Sequence, residues 1–370
     1  MKTEELLLQL LNIDSQNPPG NEKEIAYFVK DFLEEVSFEV ELTEFAKNRY
    51  NVVASKGKGK GIMIEGHLDT VPIISKVWKI DGREIDAFGE RIGNKIYGRG
   101  AVDMKGPISC ILSAVRKLRN EEFKKKLLLV FVGDEEVKLG GSTFLVKNRK
   151  DIFDGITHGI VAEPTNFKVS IAQKGILNFV VKFKGKAAHA SIPELGDNAI
   201  YKACEFVQTL RELENNLKKN RHRLLGTPTI NVGVIKGGTK VNIVPDYCEV
   251  GIDRRVLPNE DLNDILDQIK AILNKLGLDA NIEVTLKKMP MEIREDNFVK
   301  RVKEIANTEV TGLSGYTEAE IFYRELGIKS IVFGPGNVNL AHTTQEHVDI
   351  KDLRKGTVVF EKIVKEFCIQ

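Results

Sequence analysis

Cysteine is scarce in this sequence: Cys110, Cys204, Cys248 and Cys368 are the four in 370 residues, and no two form a CxxC pair. Thiols so dispersed exclude a disulfide-stapled scaffold and a zinc ribbon. An excess of one charge is also lacking, with 55 Lys and Arg against 53 Asp and Glu. A surplus of +2 gives no electrostatic footprint for wrapping nucleic acid or adhering to anionic lipid. No apolar run approaches the ~18 residues of a membrane span, and the opening MKTEELLLQLLNI is acidic where a signal peptide needs positive charge. Internal repeats and low-complexity tracts are missing too; KGKGK at 56–60 reads as a solvated turn. The expectation is a soluble, cytoplasmic protein with neither nucleic acid nor membrane as partner.

What is present is ordinary globular composition, 42% hydrophobic and 29% charged, in a chain longer than the ~100–200 residues of one domain. Leu6, Leu7, Leu10 and Leu11 fall at helical spacing, and after SQNPPGNE the pattern resumes over 21–36 with Ile25, Phe28, Val29 and Phe32. Strand-sized runs follow (FEVEL, YNVVA, GIMIEG, LLLVFV, GIVAEP), with helical stretches such as 107–118 between them. Strands alternating with helices predict an α/β domain around a largely parallel sheet. From about Lys174 the order becomes strand (ILNFVVKF), helix (198–213), two strands (TINVGVI, YCEVGIDRRV), helix (261–276) and strand (ANIEVTL). That βαββαβ order is the ferredoxin-like split motif, and it predicts an inserted domain over 174–287. The segments 1–173 and 288–370, the latter with a helix at 297–306, the strand SIVFG and a last helix from Ile350, form the larger discontinuous domain.

Five segments carry a metal-type ligand at a strand end or helix start. GIMIEGHLDTVP presents His67 and Asp69; YGRGAVDMKG presents Asp103; LLLVFVGDEE presents Asp134, Glu135 and Glu136; GIVAEPT presents Glu163; SIVFGPGNVNLAHTTQE presents His342. In open α/β sheets the crevice outside the carboxyl ends of strands is where ligands bind, so these loops can converge. A lone histidine near a strand end is more often structural, and an acidic pair is usually a solvated edge; the repetition outweighs that reading. Two imidazoles with three carboxylates suit Zn²⁺, Co²⁺ or Mn²⁺, and the lack of Cys argues against a purely structural zinc site. His158, His222 and His347 have no such setting and read as surface or structural, and Cys110 and Cys204 read as small apolar helix residues. The Gly98–Gly100 turn matches neither GxxxxGK[ST] nor GxGxxG.

In order, HLDTVP, GRGAVDMKG, GDEE, AEPT and GPGNVNLAH resemble the motifs of the dinuclear zinc aminoacylase/carboxypeptidase family. The likeness runs from SQNPPGNE to AHTTQE. It implies a zinc-exopeptidase-like catalytic domain interrupted by a ferredoxin-like lid, and a homodimer formed through that lid. It implies two divalent ions, Zn²⁺ foremost: His67 and Glu163 on one, Glu136 and His342 on the other, and Asp103 bridging, with the peptide after Asp103 cis. Asp69 would hold the His67 imidazole by its second nitrogen and so fix its tautomer. Glu135 would stay unligated as the general base that takes a proton from activated water and returns it to the leaving amine.

In the lid, GKAAHASIPELGDNAI resembles the segment that carries His189 into the partner's active site to stabilise an oxyanion; without that likeness His189 is a turn histidine. Asn242 of GGTKVNIVPD and Arg255 of DRRVLP match positions that hold substrate carboxylate or carbonyl groups, with Arg254 as the competing assignment. Alternation places Asp253 and Arg255 on one strand face. The loop LSGYTEAEIF, with Thr317 and Glu318, resembles the acetylornithine deacetylase branch, which implies N-acetylornithine or a similar N-acyl amino acid as substrate. Succinyl-diaminopimelate desuccinylation, dipeptide or carboxypeptidase cleavage, and an inactive binding protein on the same fold are the alternatives.

Overall fold

A computed structural model describes residues 1–370. The chain divides into two compact units: Met1–Ile171 with Ile293–Thr311 and Thr317–Gln370, and Ala172–Glu292 with Gly312–Tyr316.

The first unit is an α/β structure built on strands β1 (Glu39–Ala46), β2 (Arg49–Lys56), β3 (Gly61–His67), β4 (Lys126–Val132), β5 (Ile156–Val161) and the start of β6 (Val169–Gln173). In the second unit lie β7 (Gly175–Lys184), β8 (Thr229–Gly237), β9 (Tyr247–Val256) and β10 (Ala280–Lys288); β11 (Lys329–Val332) returns to the first. The first unit's sheet runs β1-β2-β4-β3-β5-β11-β6. Its four central strands, β4, β3, β5 and β11, are mutually parallel. The flanks are antiparallel, so the sheet is mixed where a largely parallel one was expected. At one flank the cause is local: only Lys47 and Asn48 join β1 to β2, and so short a link permits only an antiparallel pair.

The central strands read as continuous apolar runs because both faces are covered. β4 is buried from Leu127 through Val132. Helix α3 (Lys105–Lys117), expected at 107–118, is buried at every position from Lys105 to Val115. It packs against α1 (Thr3–Asn12) and the last α-helix, Ile350–Val364. Cys110 lies in that interior; Cys204, by contrast, is exposed, so its expected apolar role is not what the structure has. Two small sheets, one of strands Val77–Ile80 and Arg83–Asp86 and one of strands Glu90–Ile92, Lys95–Tyr97 and His347–Asp349, have no counterpart in the sequence reading. Trp78, Ile80, Ile85, Ala87 and Tyr97 cluster beneath them.

The second unit is a four-stranded antiparallel sheet of order β8-β9-β7-β10 with helices Ala199–Leu217 and Leu262–Lys275. Here burial alternates strictly, as along Gly175–Phe183 and Cys248–Val256, because one face meets helices and the other does not. Asn198 and Asp261 cap the two helices by accepting main-chain N–H groups. Gly312 comes close to Leu224 and Leu225: a Cβ there would meet the Leu224 carbonyl oxygen at 2.7 Å.

Candidate metal centre

Because β3, β4, β5 and β11 are parallel, their carboxyl ends lie along one edge of the sheet. His67 is the last residue of β3. Glu135 and Glu136 follow β4 after Gly133 and Asp134, Glu163 follows β5, and His342 lies in the loop after β11. Asp103 stands in the turn before α3, and its peptide to Met104 is cis.

The side chains form two donor sets with Asp103 common to both: His67, Asp103 and Glu163, and Asp103, Glu136 and His342. His67 Nε2 is 2.9 Å from Asp103 Oδ1 and 3.7 Å from Glu163 Oε1. His342 Nε2 is 3.2 Å from Asp103 Oδ2 and 3.2 Å from Glu136 Oε2. One carboxylate thus turns one oxygen to each imidazole. Glu135 lies in a third group with Glu163 and Glu318.

The donors fit divalent cations. His67 Nδ1 is 2.8 Å from the Asp69 carbonyl oxygen, which can only accept, so Nδ1 carries a proton and Nε2 is the nitrogen turned toward Asp103. A lone pair and a carboxylate face each other stably only across a proton or a cation. The charge balance agrees. Burial disfavours an imidazolium at His67, yet the Asp103 contact and the charges of Glu163 and Glu135 outweigh it and raise its pKa well above the usual histidine range. Contacts from Asp103 and Glu136 lift His342 to about 10. Burial works to raise the Asp103 carboxyl, but His342 and His67 overcome it and hold it well below the carboxylate range. Burial first, then neighbouring carboxylates, push Glu135 and Glu163 well up. The arrangement is short of positive charge, the deficit that metal ions fill.

Asp69 departs from its expected contact. Its main-chain oxygen, not its carboxylate, holds the His67 imidazole; the carboxylate Oδ1 is 3.7 Å from Nδ1. The carboxylate instead accepts the main-chain N–H of Glu135 at 3.1 Å and of Glu136 at 3.2 Å. The reason is strand adjacency: β3 and β4 pair in register through His67 and Val132, so the two following turns lie side by side. Asn17 donates to Asp69 Oδ2 at 2.9 Å and to Asp134 Oδ1 at 2.8 Å. The sequence does not single out Asn17 within SQNPPGNE, because nothing local announces a partner 52 or 117 positions away.

Thr317 and Glu318 are both buried in the first unit, and neither carboxylate oxygen of Glu318 has a hydrogen-bond partner. The same holds for Glu65, a fully buried carboxyl on β3 that the sequence reading also passed over.

His189, Asn242 and Arg255 belong to the second unit. His189 is exposed, pairs across a short bridge with Ile243, and its Nδ1 is 2.7 Å from Ser191 Oγ. The Asn242 carbonyl accepts the Ala190 N–H. Arg255 is half-buried and donates to Asp253 on its own strand face. Arg254 is 1% exposed and held by Glu260 and the Arg255 carbonyl, so Arg255 is the more accessible of the two. His158 pairs with Asp296, His222 with Glu292, and the His347 ring lies tilted against Tyr97.

Comparison with known proteins places the chain in a family. Residues 171–281 match the peptidase dimerisation domain and 51–193 match peptidase family M28. The chain is 33% identical to an acetylornithine deacetylase of Myxococcus xanthus, covering 91% of this chain and 90% of that one. It is 30% identical to an acetylornithine deacetylase of Vibrio atlanticus, over 98% and 97% of the two chains. Among solved structures, an M20 family metallo-carboxypeptidase from Sulfolobus solfataricus superposes with a TM-score of 0.79 at 23% identity, over 99% of each chain. A tripeptidase from Staphylococcus aureus superposes at 0.80 with 21% identity, over 99% and 97%. The chain belongs to the M20 peptidase family and is a metal-dependent amidohydrolase.

Proposed function

We propose that this enzyme hydrolyses the amide bond of a small N-acyl amino acid, with N-acetylornithine as the preferred substrate and arginine biosynthesis as its setting in the cytoplasm. The observation that carries the reading is Asp103, shared between two His-and-carboxylate sets. Full-length similarity to acetylornithine deacetylases supports the substrate class. His67 and Glu163 would hold one ion, Glu136 and His342 the other, and Asp103 both; Zn²⁺ suits the donors best, with Co²⁺ or Mn²⁺ as substitutes. When bound, two such ions polarise the acyl carbonyl and make water acidic enough to react near neutrality.

Glu135 remains outside both donor sets, with its main chain fixed by Asp69. Its carboxylate takes the proton of the attacking water and delivers it to the amide nitrogen as the C–N bond breaks; the remaining acid proton of the acyl product then passes to the freed amine, so that the products are a carboxylate and an ammonium group. Asn242, Arg255, Thr317 and Glu318 supply substrate contacts, Arg255 to the substrate carboxylate. His189 donates to the oxyanion of the neighbouring subunit in a homodimer formed through the second unit; the dimerisation-domain match over 171–281 supports the dimer.

The test is hydrolysis by the metal-loaded protein of N-acetylornithine, succinyl-diaminopimelate and a dipeptide panel. Highest kcat/KM on N-acetylornithine is expected; a preference for succinyl-diaminopimelate or dipeptides would replace the substrate, and no hydrolysis of any would remove the reading.

A further inference from the structure

Glu346 is fully buried, four residues beyond His342, and no step of the proposed reaction uses it. Its oxygens nevertheless converge on the turn that carries Asp103. Oε1 accepts the N–H of Gly100 at 2.9 Å, of Val102 at 3.1 Å and of Asp103 itself at 3.3 Å. Oε2 pairs with Arg99, which is 6% exposed and lies over the Trp78 ring at 5.4 Å. The Glu346 carbonyl in turn accepts the Gly98 N–H at 3.1 Å. Gly100 takes a positive φ of +89°, and a Cβ there would meet Thr70 and Lys105 at 2.9 and 3.0 Å, so glycine lets this turn aim its N–H groups at one acceptor.

We infer that Glu346 is a positioning residue for the metal centre: its carboxylate sutures the His342 loop to the Asp103 turn and thereby sets the spacing of ligands on both sides of Asp103. The inference rests on the two-ion reading. Its physical basis is that a buried carboxyl group held by a guanidinium and several main-chain N–H groups in a dry interior is less compliant than a single neutral bond. Ligands tied this way are organised before the ions arrive, and what is lost without the tie is ion affinity before chemistry.

The experiment titrates Co²⁺ into chelator-stripped full-length protein and reads affinity and stoichiometry, then turnover at saturating Co²⁺. Glu346→Gln keeps the shape and removes the charge; it should weaken Co²⁺ binding by roughly 10–100-fold, and saturating Co²⁺ should restore kcat to within a few-fold of wild type. Val359→Ala, a core change on the last α-helix, should leave Co²⁺ affinity unchanged even though it lowers stability. Should Glu346→Gln not fold, Glu346→Asp, which keeps the charge on a shorter arm, is read by the same criteria. Wild-type Co²⁺ affinity in the Glu346 variant overturns the inference, as does a loss of kcat that saturating Co²⁺ does not restore. Failure of the wild-type protein to bind Co²⁺ would instead overturn the two-ion reading beneath it.

Discussion

His67 and His342 face the same aspartate from opposite sides, and their surroundings differ sharply. The His67 side chain is 1% exposed and that of Glu163 12%; the His342 side chain is 51% exposed, although its partner Glu136 is at 6%. The tautomer of His67 is locked by a main-chain carbonyl from its own strand end. His342 instead sits at a positive φ of +65° in a loop, held through the residues around it. One half of the centre is therefore part of the core, and the other is brought to it. The two ions should therefore not be equivalent: the His67 side favours slow exchange and the His342 side easy access for water and substrate.

The comparison can be broken most completely at the residue the halves share. Asp103→Ala should abolish hydrolysis and reduce bound metal from two ions per chain to nearly none, read by elemental analysis of the purified protein. Next in size, Glu135→Gln should retain both ions while kcat falls by roughly 10²–10⁴-fold, the scale of losing a general base. Lost metal in that variant would mean that Glu135 and Glu136 exchange roles.

Single-histidine variants sharpen the asymmetry. In the stripped protein, His67→Ala leaves buried carboxylates without their partner and should cost ~3–5 kcal/mol in denaturant unfolding. His342→Ala, removing a half-exposed partner, should cost no more than ~1 kcal/mol. Equal losses would erase the distinction. The smallest expected change tests where His189 acts. A mixed dimer of His189→Ala with Glu135→Gln should recover about half of wild-type activity if His189 serves the neighbouring subunit, because one site then carries both lesions and the other neither. Almost no activity is expected if it acts within its own subunit.

Much of this centre is legible in the sequence because strand ends are legible. His67, Glu163 and the Glu135–Glu136 pair each close an apolar run whose length and composition mark a buried strand, and parallel neighbours bring such ends to one edge. The inserted βαββαβ unit is readable for a different reason, strict alternation in segments such as Gly175–Phe183. What could not be read are contacts that depend on which strands become neighbours. Asp69 looks like a partner for His67 two residues away, yet the β3–β4 pairing turns its carboxylate to the N–H groups of Glu135 and Glu136. Glu346 looks like the polar tail of AHTTQE, and the donors it accepts from lie 243 to 247 positions earlier. Glu65, in the middle of IMIEG, gives no hint that a carboxyl is wholly buried there. The short strands over 77–97 lack any apolar run long enough to declare them.

The central claim is that Asp103 joins two metal positions of unequal exposure. Anomalous scattering from crystals of the protein grown with Zn²⁺ tests it most directly. Two peaks are expected, ~3.5–4 Å apart, with Asp103 between them, His67 and Glu163 on one and Glu136 and His342 on the other. A single peak, or two that do not share Asp103, would contradict the account.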